Sequence, residues 1–143
     1  MDNKTEALRL LKEANEDLER SERNFREGDW VASTHYAQLV IEKSTKAVIS
    51  CFGSYKWTHD SSNEIKELIK KGLLPPKFVE LADFAHDAGP WHGRATYGGI
   101  KDGKWMSPSY WCTEDMASRL IENAKKTVSK AQKFIENFFQ DEV

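Results

Sequence analysis

Residues 30–50 read WVASTHYAQLVIEKSTKAVIS, and this stretch decides the fold. Val31, Ala37, Val40, Ile41, Ala47, Val48 and Ile49 recur at helical spacing, with Asp29 placed as an N-cap and Gly53 as a stop. The pattern predicts a helix from about Trp30 to Cys51. Upstream, Leu8, Leu11, Ala14, Leu18 and Phe25 step by 3, 3, 4 and 7, one face of a first helix. Asn3 and Glu6 form a capping-box pair at its start, and Gly28 sits where it would stop. So short a connection at Gly28 predicts an antiparallel helical hairpin.

Downstream, a third helix is expected from Ser61 or Ser62, with Glu64 completing a capping box, Ile65, Leu68 and Ile69 inside, and Gly72 as its end. Pro75 and Pro76 suit the first turn of a fourth helix. Phe78, Leu81, Ala82 and Ala85 give that helix an apolar face until Gly89-Pro90 closes it. Thr113 caps a last helix whose Met116, Leu120, Ala124, Val128, Ala131, Ile135 and Phe138 step by 4, 4, 4, 3, 4 and 3. Between these two helices, Gly89–Cys112 holds five of the eight glycines, three of the five tryptophans and two of the four tyrosines. That composition predicts a long loop, with room for a short β-hairpin turned by Asp102-Gly103 between Ile100 and Trp105. The expected fold is all-α: one domain over 1–143, an up-and-down antiparallel bundle of about five helices with one Gly/aromatic-rich loop before the last.

Composition excludes several classes of function. Of the 143 residues, 39% are hydrophobic and 31% charged, and no apolar run approaches the ~18 to 20 residues of a membrane span. The charged N-terminus has no signal-peptide pattern. A net charge of −2 means that any polyanion contact must come from a local patch. Cys51 and Cys112 form neither a metal pattern nor a disulfide framework, so a reduced, cytoplasmic protein is expected. No phosphate-binding or dinucleotide glycine motif occurs, and no cofactor is expected.

Three constellations could carry chemistry. On the second helix His35, Gln38, Glu42 and Thr45 lie at steps of 3, 4 and 3, with Lys46 beside them. They make a polar row facing a cleft, a ligand or a second subunit, or else a boundary stripe with Glu42–Lys46 as an ordinary ion pair worth ~0.3 kcal/mol. In the loop, His92, Arg94, Lys101 and Lys104 accompany Trp91, Tyr97, Trp105, Tyr110 and Trp111. Cations among aromatics suit phosphate contact and base stacking, whereas the same aromatics could simply plug the loop onto the bundle. Glu80, Asp83, His86 and Asp87, plus His92, are candidate metal ligands, with Asp83 and His86 on one helix turn, but no second such motif pairs with them, and no metal site is assigned.

The second helix resembles that of the HEPN domains (higher eukaryote and prokaryote nucleotide-binding). Ala37-Gln38, Glu42-Lys43 and Lys46-Ala47 match the family pattern in register. His59 corresponds to the family's His before its third helix, and Arg94 with Tyr97 is similar to its Arg-Tyr element, with two residues inserted. The resemblance spans roughly residues 5 to 138. It implies a helical bundle, usually dimeric, that binds nucleotides or RNA, often beside a minimal nucleotidyltransferase in toxin–antitoxin pairs. His35, Gln38, Glu42, Lys46, His59, Arg94 and Tyr97 would then line the ligand cleft.

Some HEPN members are metal-independent ribonucleases with an Arg, four to six residues, then a His. This chain has no such pair: no histidine follows Arg94, and eight residues separate Arg26 from His35. Binding is therefore the leading expectation. A diverged ribonuclease using Arg94 with His59 or His92 is the alternative, and a purely structural dimeric adaptor the third. A homodimer is also expected from the apolar width of the second helix, where Val31 and Ile41 lie roughly opposite Leu39.

Overall fold

The computed structural model describes residues 2–140. It contains six α-helices, one 3-10 turn and a two-stranded hairpin among the described residues: α1 (Asn3–Arg26), α2 (Trp30–Ser50), α3 (Ser62–Lys70), the 3-10 turn Pro76–Phe78, α4 (Val79–Thr96), β1 (Gly99–Lys101), β2 (Lys104–Met106), α5 (Pro108–Trp111) and α6 (Glu114–Phe138). The all-α bundle is as the periodicity predicts. None of the helices is long and apolar enough to cross a membrane, among the described residues.

Helix α2 is the central element, packed by α1, α4 and α6. Val40, Ile41, Ala47 and Val48 lie in the core with Ala14 of α1, Leu81 of α4 and Leu120 of α6. These three helices cover one broad side of α2; Leu39, on the side that argues for a second subunit, is only half-buried and lies outside that core. Asp29 caps α2 through the amide of Ala32 (3.0 Å), and Thr113 caps α6 through that of Met116 (3.2 Å).

Helix α1 departs in detail from its apolar pattern. Asp2, not Asn3, is the cap, accepting from the Thr5 amide at 2.7 Å. Leu8 is exposed, because the buried face runs through Ala7, Leu10, Leu11, Ala14, Asp17 and Ser21. Its polar half pairs across to α2: Ser21 Oγ donates to the Ser33 carbonyl (2.7 Å) and Ser33 Oγ returns to that of Ser21 (2.9 Å). Asp17 takes the Lys43 ammonium at 2.7 Å and the Arg20 guanidinium at 2.8 Å. Phe138 at the end of α6, expected inside, is also partly exposed.

The larger correction concerns residues 89–112. Helix α4 runs through Gly89-Pro90 to Thr96, so the expected 24-residue loop shrinks to a hairpin and the short α5. Pro90 lacks the N–H that would reach the His86 carbonyl, but both residues are on the exposed side, where water can serve that carbonyl. Trp91, Ala95 and Ala88 are buried against the bundle and hold the helix past the break. The hairpin itself forms as expected, pairing Ile100 with Trp105, and positive φ at Asp102 (53°) and Gly103 (77°) marks a type I′ turn.

Gly98 joins α4 to this hairpin at φ +88°, and a Cβ there would meet the Met106 carbonyl oxygen at 2.2 Å. Strain and collision add. Gly98→Ala should lower unfolding free energy by ~2 kcal/mol or more in urea denaturation; an unchanged midpoint and slope would contradict this packing.

Candidate functional site

The polar row of α2 is the floor of a site. Gln38 is fully buried and its Nε2 donates to Glu42 Oε1 at 3.1 Å, while Lys46 Nζ reaches Glu42 Oε2 at 3.3 Å. Two imidazoles from other elements close over this floor. His59, from the connection between α2 and α3, places Nδ1 2.7 Å from Glu42 Oε1. His92, from α4, places Nδ1 3.1 Å from Gln38 Oε1. The two rings stack with centroids 3.7 Å apart and planes 13° from parallel, and the His35 ring lies 5.6 Å from that of His92.

The position of His59 follows from its neighbours. Thr58 Oγ1 donates to the Asp60 carbonyl (3.2 Å) and accepts from the Asp60 amide (3.1 Å). Asp60 then accepts from the Ser62 amide at the start of α3 (2.9 Å) and sits 2.9 Å from His86 Nδ1 of α4. Asp60 thus does the capping expected of Ser61, whose hydroxyl is buried without a partner; Glu64 instead accepts from the Lys56 amide. The segment can lie this close to α4 because residue 89 is glycine: a Cβ there would come within 3.0 Å of the Asp60 Cβ. Gly89, expected to end the helix, serves close approach within it.

Charge and hydrogen bonding fix the tautomers. Burial works against the ionised form of Glu42, but the bonds from Gln38 and His59 and the Lys46 charge outweigh it and hold the carboxyl below its ordinary value. An ionised carboxylate only accepts, so Gln38 must turn its NH₂ toward Glu42 and its carbonyl toward His92. His92 Nδ1 must therefore carry a hydrogen, as must His59 Nδ1 against Glu42. In the neutral state both rings keep the lone pair on Nε2, where neither has a protein partner among the described residues. Burial, and then the neighbouring His59, lower the pKa of His92 from the usual 6.5. A charge on His59 thus works against a charge on His92.

The structure brings together His35, Gln38, Glu42, Lys46, His59 and His92. Thr45 leaves the row, donating to the Ile41 carbonyl at 2.7 Å in the core. Arg94 and Tyr97 do not join the cluster. Two positions beyond His92 is about 200° around a helix, and the Arg94 guanidinium lies between Trp91 and Trp111, 5.0 and 4.8 Å from their rings. Tyr97 is exposed beyond the end of α4. The Glu80–Asp87 metal cluster also dissolves, since His86 turns to Asp60 and Glu80 to Lys130.

Glu42, His59 and His92 do offer three ligand atoms within 4.8 Å of one another. Imidazole lone pairs lie in the ring plane, however, and two near-parallel planes 3.7 Å apart do not meet at one ion. A metal would need one ring to swing out of the stack. As built, the arrangement handles protons and hydrogen bonds. Sequence reading named His59 and His92 singly but missed their pairing, and it missed Asp60 and Gly89, because all four depend on contacts between distant segments.

The lowered pKa of His92 has a consequence for stability. The unfolded chain takes up this proton first, so the stabilisation is present above about pH 6.5 and is lost as pH falls through the lowered value. Urea denaturation at pH 7.5 and 5.5 should show a larger loss in wild type than in His92→Phe. An NMR titration of His59→Ala should move the His92 pKa upward. Equal pH dependence in the two proteins, with an unmoved His92 titration, would contradict the stacked geometry.

The HEPN domain model matches residues 7–136. No curated protein matches the chain. With nearly its whole length matched and the bundle in place, the chain belongs to the HEPN domain family, a family of nucleotide- and RNA-related modules.

Proposed function

We propose that the protein binds phosphate-bearing nucleotides or RNA at the Nε2 edges of His59 and His92, as a homodimer that works with a minimal nucleotidyltransferase, as in toxin–antitoxin pairs. The observation that carries the site is the imidazole stack on the Gln38–Glu42 floor, with both Nδ1 atoms engaged and both Nε2 atoms free of protein partners. An arriving phosphate favours the protonated rings, which then offer N–H donors with positive charge. Glu42 supports that charge from beneath. The dimer and the nucleotidyltransferase partner are supported by the family alone.

The geometry also favours a second reading, a diverged ribonuclease. Two stacked imidazoles, with a charge on His59 working against one on His92, form an acid–base pair: one Nε2 takes the 2′-hydroxyl proton while the other, protonated, gives its proton to the leaving oxygen. His59 and His92 would do this from separate elements, in place of the family's Arg…His motif.

Titration with ATP and with a short RNA at pH 6 and pH 8 tests binding. Affinity should be higher at pH 6, should fall with added salt, and should drop about tenfold in His59→Ala and in His92→Ala, or ~1.4 kcal/mol. Arg94→Ala, whose contacts are to Trp91 and Trp111, should stay within about twofold. Unaltered affinity in both histidine variants would overturn the site. Brisk cleavage of the same RNA without metal, abolished by either histidine variant, would select the second reading.

A further inference from the structure

Away from the imidazoles, a groove of about 860 Å³ runs between the start of α4 and the C-terminal half of α6. Its floor is aromatic: the exposed Phe138 and half-buried Phe134, with the buried Phe78 beneath them. Its walls carry Lys77 on one side and Lys125, Lys126, Lys130 and Lys133 on the other, while Glu80 is the one acid lining it among the described residues and lies 3.6 Å from Lys130. Lys125 is paired with Glu122 at 3.4 Å and Lys130 with Glu80, and Lys77, Lys126 and Lys133 leave the groove locally positive on a chain of net charge −2.

The order of these residues narrows the occupant. Lys126, Lys130 and Lys133 step by 4 and 3 along α6, so they form one ridge beside the floor. The lining from Lys125 to Asn137 spans about 18 Å at the helical rise, the length of a three-turn helix. The floor rings pack on one another. Phe134 and Phe138 stack at 5.7 Å, Phe78 meets Phe134 nearly edge-on at 5.2 Å, and Phe52 meets Phe138 likewise at 5.1 Å. Phe138 is exposed, Phe134 half-buried and Phe78 buried, so the floor offers a small apolar patch that fits aliphatic side chains rather than a row of stacked bases.

We propose that this groove docks an acidic amphipathic helix of a partner protein, about three turns long, with its apolar side on the phenylalanine floor and its carboxylates toward the lysine ridge. The groove shares no residue with the imidazole site, so the two proposals stand or fall separately.

Fluorescence anisotropy with a labelled 14-residue peptide, leucines on one helical face and glutamates on the other, tests it. The controls are the same composition scrambled and a labelled oligouridylate. The amphipathic peptide should bind saturably, at least tenfold tighter than the scrambled one, and more weakly as salt rises. The charge-reversed variant K126E/K130E/K133E should lose at least tenfold. Lys133→Glu, at an exposed position, and Phe138→Ala, checked by its thermal unfolding to be folded, should each weaken binding severalfold even if the triple variant does not fold. Lack of saturation, equal binding of the scrambled peptide, or unaltered affinity in these variants would overturn the proposal. So would oligouridylate binding that outcompetes the peptide, or self-association of the chain abolished by K126E/K130E/K133E, which would assign the groove to nucleic acid or to a second copy.

Discussion

Because α2 is covered by three other helices, most of the polar side chains it turns inward find their partners within the protein, the hydroxyls of Thr34 and Ser44 being the exceptions. A buried polar group without a partner costs about 1 to 3 kcal/mol, and α2 buries Ser33, Gln38 and Lys46 among others. Three of the resulting solutions organise the molecule. Ser33 exchanges hydrogen bonds with Ser21 and locks the α1–α2 hairpin. Lys43 neutralises Asp17, which is almost fully buried on α1. Glu42 gathers Gln38, Lys46 and His59 around one carboxylate, and through Gln38 it sets the orientation of His92. The candidate site is thus a by-product of satisfying a central helix: its members are fixed by the same bonds that make the bundle possible.

The same constraint explains how far the sequence could be read. Helix α6 was legible because its apolar residues step regularly by 3 and 4, α2 because a long apolar-rich run precedes Gly53, and both because Asp29 and Thr113 are caps whose chemistry is local. The stripe of α1 was misplaced at Leu8, since Asp17 and Ser21 are buried there, and hydrophobic spacing cannot register a polar residue whose partner lies on another helix. Gly89-Pro90 carries the strongest local signal for a helix end. It was overridden by burial of Trp91 and by the close approach of Asp60, neither of which a local pattern contains. The histidines were visible as residue types and invisible as a pair, because 33 positions of sequence separate His59 from His92.

Membership of the HEPN domain family and the geometry of the imidazoles bear on different scales. The family gives the bundle and the general class of ligand. The hydrogen-bond chain from Lys46 through Glu42 and Gln38 to His92 gives this chain a particular surface: two parallel rings whose outward nitrogens share an environment but not a degree of burial. His59 is exposed at the rim and His92 partly enclosed behind it. Burial and the neighbouring His59 both work against a charge on His92. The lysine groove on the far end of α6 is chemically unlike it, with fixed charges over a greasy floor, and suits a protein surface better than a small anion.

The central claim is that Glu42 and Gln38 impose one tautomer on both rings, hydrogen on Nδ1 and lone pair on Nε2. Long-range ¹H–¹⁵N correlation NMR of the imidazole nitrogens near pH 8 reads this directly. The account predicts a protonated-type Nδ1 and a lone-pair-type Nε2 for both His59 and His92, with the His92 preference lost in Gln38→Leu. An Nε2–H tautomer for His92, or a freely averaging mixture in wild type, would contradict it.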